Sequence, residues 1–159
     1  MKNPAAPGVC ECARNRNKEN VLGIPRYRYF DHDADVGIVG YGLTLEEAFE
    51  AAAAAMFALM TDLREVRPER SLRVDFEEAD VELALVRWLN ILLATAREQG
   101  MALSEFRIER DGVLWRGVAT GESWRNGLQS GVEVKGATLT MLRVRQSAAR
   151  WEAGCVVDV

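Results

Sequence analysis

Within five residues, Asp31-His32-Asp33-Ala34-Asp35 sets three carboxylates around the protein's single histidine. Carboxylates this dense repel one another unless a cation, a donor-rich loop or bulk water relieves them. The segment therefore reads either as a hard-cation site or as a solvated polar turn in which Asp31 bonds nearby amides. Spacing by two on an extended chain would put Asp31, Asp33 and Asp35 on one face and His32 on the other. An EF-hand loop is excluded: its sixth position would be Val36 where glycine is needed, and its twelfth Gly42 where glutamate is needed. His32, flanked by aspartates, could act as a general base or as a hydrogen-bonded structural residue beside a strand.

Two further segments carry chemistry-bearing side chains. Gly131-Val132-Glu133-Val134-Lys135 opens an apolar run that reads as a long strand over 132–144, with Glu133 and Lys135 on one face. They could form a cross-strand ion pair or a solvated face. The chain closes on Val156-Val157-Asp158-Val159, an acidic side chain inside an apolar strand. Asp158 and the carboxylate of Val159 could coordinate a cation if another carboxylate came near. No G-x-S-x-G, Walker or dinucleotide-binding motif is present.

The elements that must position these residues follow from the periodicity. Residues 26–30 alternate as a strand, and 36–41 read as a second short strand with Gly37, Gly40 and Gly42 as possible bends. Thr44-Leu45-Glu46-Glu47 is a capping box opening a helix to about Met60, with Leu45, Phe49, Ala52, Met56, Leu59 and Met60 as its buried stripe. Residues 72–76 form a strand. Asp80 caps a second helix ending near Gly100. Its Leu83, Val86, Trp88, Leu89, Leu92 and Leu93 cover much of the circumference and predict a central helix. A hairpin over 106–118 turns at Asp111-Gly112, and 153–159 forms the last strand. The order predicts a single α+β domain over 26–159, with mixed or antiparallel sheets covered by two main helices.

Residues 1–25 have no apolar period, carry Pro4, Pro7 and Gly8, and are expected to be a disordered tail. Cys10, Cys12 and Cys155 are an odd set, which argues against a disulfide framework and for a reducing compartment. Cys10-Glu11-Cys12 lacks two ligands for a zinc site. A hydrophobic fraction of 48% suits one ordinary core, whereas the net charge of −4 lacks the basic footprint of a nucleic-acid grip. No direct nucleic-acid binding and no membrane association are expected, because the longest apolar run, 51–60, is too short to span a bilayer. The expected location is cytoplasmic.

Several of these segments together resemble the archease family, small activators of RtcB-type tRNA-splicing RNA ligases. They are Tyr29-Phe30-Asp31-His32 through Gly37, where the family reads D-H-T-A-D; Leu43 through Phe49 running into 54–62; Trp88 through Leu93; Gly131 through Thr138; and Val157-Asp158-Val159. The resemblance spans about 26–159. It implies a non-enzymatic cofactor protein that promotes metal- and GTP-dependent guanylylation of the ligase and its multiple turnover in tRNA splicing and RNA repair. It implies a divalent metal site, calcium foremost with magnesium or manganese as alternatives, at Asp35, Asp158 and Val159. It implies that Lys135 acts on the partner, with Asp31, His32, Asp33 and Glu133 in support. Two departures stand out: Asp33 replaces the family's threonine, and Leu128 replaces a histidine three residues before the glycine of G-x-E-V-K. The competing readings are a metal-dependent phosphoester hydrolase using Asp31, Asp35 and His32, and a general chaperone or protein-binding module.

Overall fold

Helix α1 (Leu45–Ala58) runs between two antiparallel sheets. The computed structural model describes residues 25–128 and 131–159. Of the tail expected over residues 1–25, all but Pro25 lies outside the described residues, and Cys10 and Cys12 with it. The first sheet contains β1 (Tyr27–His32), β2 (Asp35–Gly42), β6 (Gly136–Ala137), β7 (Arg143–Ser147) and β8 (Arg150–Asp158). Its order is β1-β2-β8, with β6 and β7 sharing the far edge of β8. The second is β3-β5-β4, formed by β3 (Arg70–Glu77), β4 (Met101–Asp111) and β5 (Leu114–Ser123). A second helix, α2 (Val81–Glu98), packs across both. The α+β reading holds, with every strand pair antiparallel.

The helix starts are those the sequence encodes. Thr44 Oγ1 accepts the Glu47 N–H at 3.1 Å, but Glu47 Oε2 reaches back to the Leu43 N–H at 2.8 Å. The capping box thus closes one residue earlier than its usual form. Asp80 Oδ1 accepts from the Glu82 and Leu83 amides at 2.9 and 3.0 Å, and Gly100, at φ +62, ends α2.

The two helices exchange the roles expected of them. Leu83 is 42% exposed, and α2 buries one stripe through Leu85, Trp88, Leu89, Leu92 and Ala96. It is α1 that is buried on all sides, from Ala48 through Phe57 apart from the half-buried Glu50. The alanines explain this. Small side chains let backbone approach backbone, so a Cβ added to Gly40 would stand 2.3 Å from the Ala48 carbonyl oxygen. On one side of α1 the Tyr29 hydroxyl donates to the Ala55 carbonyl at 2.8 Å. On the other, Phe49 stacks on Trp115 at 5.1 Å and Phe57 meets Phe106 at 5.2 Å. Trp88 reaches in from α2, its indole N–H donating to the Phe49 carbonyl at 3.2 Å. Truncating so buried an indole costs about 3–5 kcal/mol.

The long strand expected over 132–144 is broken. Only Gly136–Ala137 and Arg143–Ser147 pair with β8, and 138–142 loops away between them. The loop keeps the ladder satisfied. The Val156 carbonyl accepts from the Thr138 amide at 3.0 Å and its hydroxyl at 2.8 Å, while the Val156 N–H donates to the Thr140 carbonyl at 3.0 Å. Met141 takes a positive φ of 51 in the same loop. Among the described residues, no helix is long and apolar enough to cross a membrane.

Candidate functional site

Strands β1 and β2 are joined by a two-residue turn, Asp33-Ala34, which pairs His32 with Asp35. The turn breaks the alternation assumed from sequence. Residues opposite each other in an antiparallel ladder share a face, so Asp35 lies on the same face as His32, while Asp31 pairs with Val36 on the other face. Asp33 takes φ 49 at the turn. Aspartate tolerates this left-handed geometry better than a β-branched residue would, which accounts locally for its presence where the family has threonine. Its side chain is 94% exposed and stands 3.9 Å from His32 Nδ1, a loose contact.

The opposite wall is the end of β8. Val36 pairs with Val157, so the next step of the register sets Asp35 across from Asp158. The Val159 N–H donates to Asp35 Oδ1 at 3.3 Å, closing the corner. The donor set at this corner is Asp35, Asp158 and the main chain of Val159. Hard oxygen ligands of this kind suit calcium or magnesium. Two carboxylate side chains supply it, and among the described residues no group of three His, Cys, Asp or Glu side chains converges in a metal-ligating arrangement.

Lys135 reaches this corner through its backbone: its N–H donates to the Asp158 carbonyl at 2.8 Å. The segment leading to it is not a strand but is pinned at each end. Gly131 and Val132 donate to the free carbonyls of Met60 and Leu59 at the end of α1, at 2.5 and 2.9 Å. Arg97 of α2 donates to the Val134 carbonyl and, at 3.5 Å, to that of Lys135. Asn90, two helical turns before Arg97, clamps Ala137 with both halves of its amide, at 2.9 and 3.1 Å. Val134 is fully buried, so the two residues on either side of it, Glu133 and Lys135, are pushed outward. Glu133 turns to Arg97 at 3.9 Å and away from the acidic corner.

The structure thus gathers Asp35, Asp158, Val159, His32 and the Lys135 backbone at one end of the five-stranded sheet. It separates Asp31, on the opposite face, and Asp33, at the turn tip. Asn90 and Arg97 were invisible as positioning residues because a polar side chain on a helix reads as surface until the segment it grips is known. Lys135 had a legible signal that was overlooked: it is the only lysine after residue 18, in a domain whose other strong cations are all arginines. Leu128 is buried with Val66 and Ala102 in a small apolar cluster, so the position where the family has histidine serves packing here.

At the far end of the same face, Arg145 and Arg150 pair with Glu152 at 3.0 and 3.3 Å, and Arg150 lies over the Tyr41 ring at 4.3 Å. Burial works to raise the Glu152 pKa, but Arg145, Arg150 and Arg143 outweigh it and hold the carboxyl below its ordinary value. Burial pushes the Cys155 thiol up to about 12, so this cysteine is an unreactive core residue.

The comparisons with known proteins agree with this architecture. The model of the Archease protein family (MTH1598/TM1083) matches residues 27–159. A protein archease of Thermococcus gammatolerans is 34% identical over 140 residues, covering 84% of this chain and 99% of its own length. One from Sulfolobus acidocaldarius is 34% identical over 141 residues, covering 86% and 100%. The solution structure of Methanobacterium thermoautotrophicum protein 1598 superposes with a TM-score of 0.77 at 33% identity, covering 84% of this chain and 99% of that one. A Thermotoga maritima archease described as a possible chaperone shares the fold at a TM-score of 0.59 and 18% identity, covering 83% and 96%. Matched along nearly its whole described length, the chain belongs to the archease family.

Proposed function

We propose that this protein is a non-catalytic activator of an RtcB-type RNA ligase, promoting the ligase's GTP- and metal-dependent guanylylation and its multiple turnover in tRNA splicing and RNA repair in the cytoplasm. Family membership supports the class of function. The observation that carries the site is the joining of Lys135 to Asp158 through one backbone hydrogen bond, while Val159 is joined to Asp35 through another. In this reading a cation and the Lys135 ammonium act from the same end of the sheet.

In this reading Asp35, Asp158 and the Val159 main-chain oxygen hold a divalent cation, calcium foremost. Such an ion supplies positive charge to phosphate oxygens. Lys135 adds a compact, mobile positive charge, which suits transient neutralisation of a phosphoryl group better than a planar guanidinium does. His32 faces Asp35 across the ladder and supports its placement. Asp35 and Asp158 give this end of the sheet negative potential, so association with a positively charged cleft should weaken as salt is added.

The test is single-turnover guanylylation of the cognate ligase with GTP and manganese, with and without this protein. Acceleration that vanishes in Asp35→Ala and Lys135→Ala supports the reading. Acceleration unaffected by either substitution would sink the site assignment, and no acceleration by the wild type would sink the function.

A further inference from the structure

The outer face of the five-stranded sheet changes sign along its strands. Gly40 packs against α1, so Asp35, Gly37, Val39 and Tyr41, which alternate with it, point away from the helix. The ladders add His32, Phe30 and Arg28 from β1, Val156, Gly154 and Glu152 from β8, and Arg143 and Arg145 from β7. One end of this face is the acidic corner. At the other, about 20 Å along the strands, Arg28, Arg143, Arg145 and Arg150 gather around Tyr41 and the one carboxylate of Glu152. Arg145 and Arg150 share that carboxylate, whereas Arg28 and Arg143 form no ion pair among the described residues. The net charge of −4 on the whole chain thus conceals a local positive excess.

Between the two ends lies an aromatic ring. A Cβ added to Gly37 would stand 2.1, 2.2 and 2.3 Å from Cζ, Cε2 and Cε1 of Phe30. A point so nearly equidistant from three ring atoms lies close to the ring axis, so the Phe30 ring lies flat on the glycine with one face against the sheet. Phe30 is half-buried: its sheet side is closed, and its outward side meets solvent. A flat ring beside a row of arginines suits single-stranded nucleic acid, whose bases stack on aromatic faces and whose phosphates take guanidinium forks. Arg28 and Arg143 stand in one line across β1, β2, β8 and β7, through Val39 and Gly154. Three strand spacings separate them, about 14 Å at the backbone. That span is a track for successive phosphates, not a cage for one. An acidic peptide would use the arginines and leave the ring face unspent, and a duplex keeps its bases stacked on one another.

We propose that the arginine half of this face binds a single strand of RNA, with one base stacked on Phe30 and the phosphates beyond it on Arg28, Arg143 and Arg150. The choice of RNA over DNA rests on the ligase reading above. Asp35 and Asp158 repel phosphate, so the strand stops at Phe30, beside the acidic corner.

The test is fluorescence anisotropy of a labelled eight-nucleotide oligouridylate with the full chain, without ligase, over a series of salt concentrations. Saturable binding is expected, with log Kd rising by about 2–3 per unit of log salt, the value for three or four phosphate contacts on a single strand. Arg28→Gln and Arg143→Gln, which break no ion pair seen here, should each weaken binding severalfold and lower that slope by about 0.7. Arg73→Gln and Arg116→Gln, at exposed positions of the other sheet, should change neither. Phe30→Leu should weaken binding about tenfold with the slope unchanged, the loss of one stacked base, and Phe30→Tyr should bind as the wild type does. Melting temperatures check that each variant is folded. No saturable binding, or equal weakening by the arginines of both sheets, overturns the proposal. Undiminished binding in Phe30→Leu, with polyglutamate displacing the oligonucleotide, overturns it in favour of an acidic protein partner. Ligase stimulation without oligonucleotide binding overturns this proposal alone. Binding without stimulation overturns the ligase reading and the choice of RNA over DNA, while the single-strand face stands.

Discussion

Asn90 holds Ala137 as a neighbouring strand would: its Oδ1 accepts the Ala137 N–H at 2.9 Å and its Nδ2 donates to the Ala137 carbonyl at 3.1 Å. A helix side chain thus completes the edge of the five-stranded sheet just after Lys135. Ala137 is 9% exposed, so water cannot readily replace the lost partner. Asn90→Ala should cost about 1–3 kcal/mol, read as a lowered denaturation midpoint with an unchanged m-value. Hydrogen exchange at the Ala137 amide should accelerate more than elsewhere in the sheet. Uniform acceleration would mean that Asn90 supports the whole fold and not this edge.

The acidic corner predicts a cation effect that needs no partner. Calcium bound only by the folded state should raise the melting temperature, by an amount equivalent to about 2.7 kcal/mol at one hundred times its dissociation constant. Asp35→Asn and Asp158→Asn should each abolish that rise. The asparagine oxygen can still accept the Val159 N–H, so Asp35→Asn removes charge and leaves the hydrogen bond of the corner available. Melting curves with calcium and with chelator decide it, and a calcium effect that persists in both variants would place the ion elsewhere.

Acid should destabilise the protein through two buried carboxylates. Glu152 is held below its ordinary 4.5 by Arg145 and Arg150 despite its burial. For Glu122 burial likewise works upward, and the Arg67 amide and the Arg125 guanidinium outweigh it. A depressed folded-state pKa means stability that is complete above the unfolded value and lost as pH falls toward the folded one. The loss therefore begins near 4.5 and grows on further acidification. Glu50 works in the opposite direction, since burial raises its pKa despite the Ile108 amide and Arg107. Melting temperatures of wild type and Glu152→Gln from neutral pH downward should converge in acid, because the variant has no proton to gain at that position. Parallel curves would assign the acid limb to other groups.

Local signals in the sequence are enough for most of the elements. The cap at Asp80 is set by a few adjacent residues, and so is the hairpin after Arg110, although its turn falls at Gly112-Val113, one residue later than the expected Asp111-Gly112, with Asp111 paired to Leu114. What could not be read depends on long-range partners. Leu83 reads as core because it is apolar, yet it is 42% exposed among the described residues. The residues after Gly131 looked like one strand because they alternate, yet the ladder of β8 is shared between two short segments. Unbroken extension would put Asp31 and Asp35 on one face, yet the turn at Asp33-Ala34 reverses the chain and sets them on opposite faces. Arg97 and Asn90 had no local signature, since what they do is defined by the backbone they touch.

Gly131 offers the sharpest test of how Lys135 is held. A Cβ at this position would stand 2.1 Å from the Leu59 carbonyl oxygen, backbone that cannot rotate away. The glycine is required by close approach: its own N–H donates to the Met60 carbonyl at 2.5 Å, and that of Val132 to Leu59 at 2.9 Å. These bonds satisfy carbonyls that the end of α1 leaves open. Gly131→Ala must push the segment off the helix end, breaking both bonds at a cost of about 1–3 kcal/mol. Arg97 and Asp158 still hold the far side of the segment at Val134 and Lys135, so the domain should remain folded while the start of the segment loosens. The expected outcome is a modest fall in melting temperature with a larger loss of ligase stimulation. If stimulation fell only in proportion to the folded fraction, the anchoring at Leu59 and Met60 would matter for stability alone and the placement of Lys135 would rest on Arg97 and Asp158.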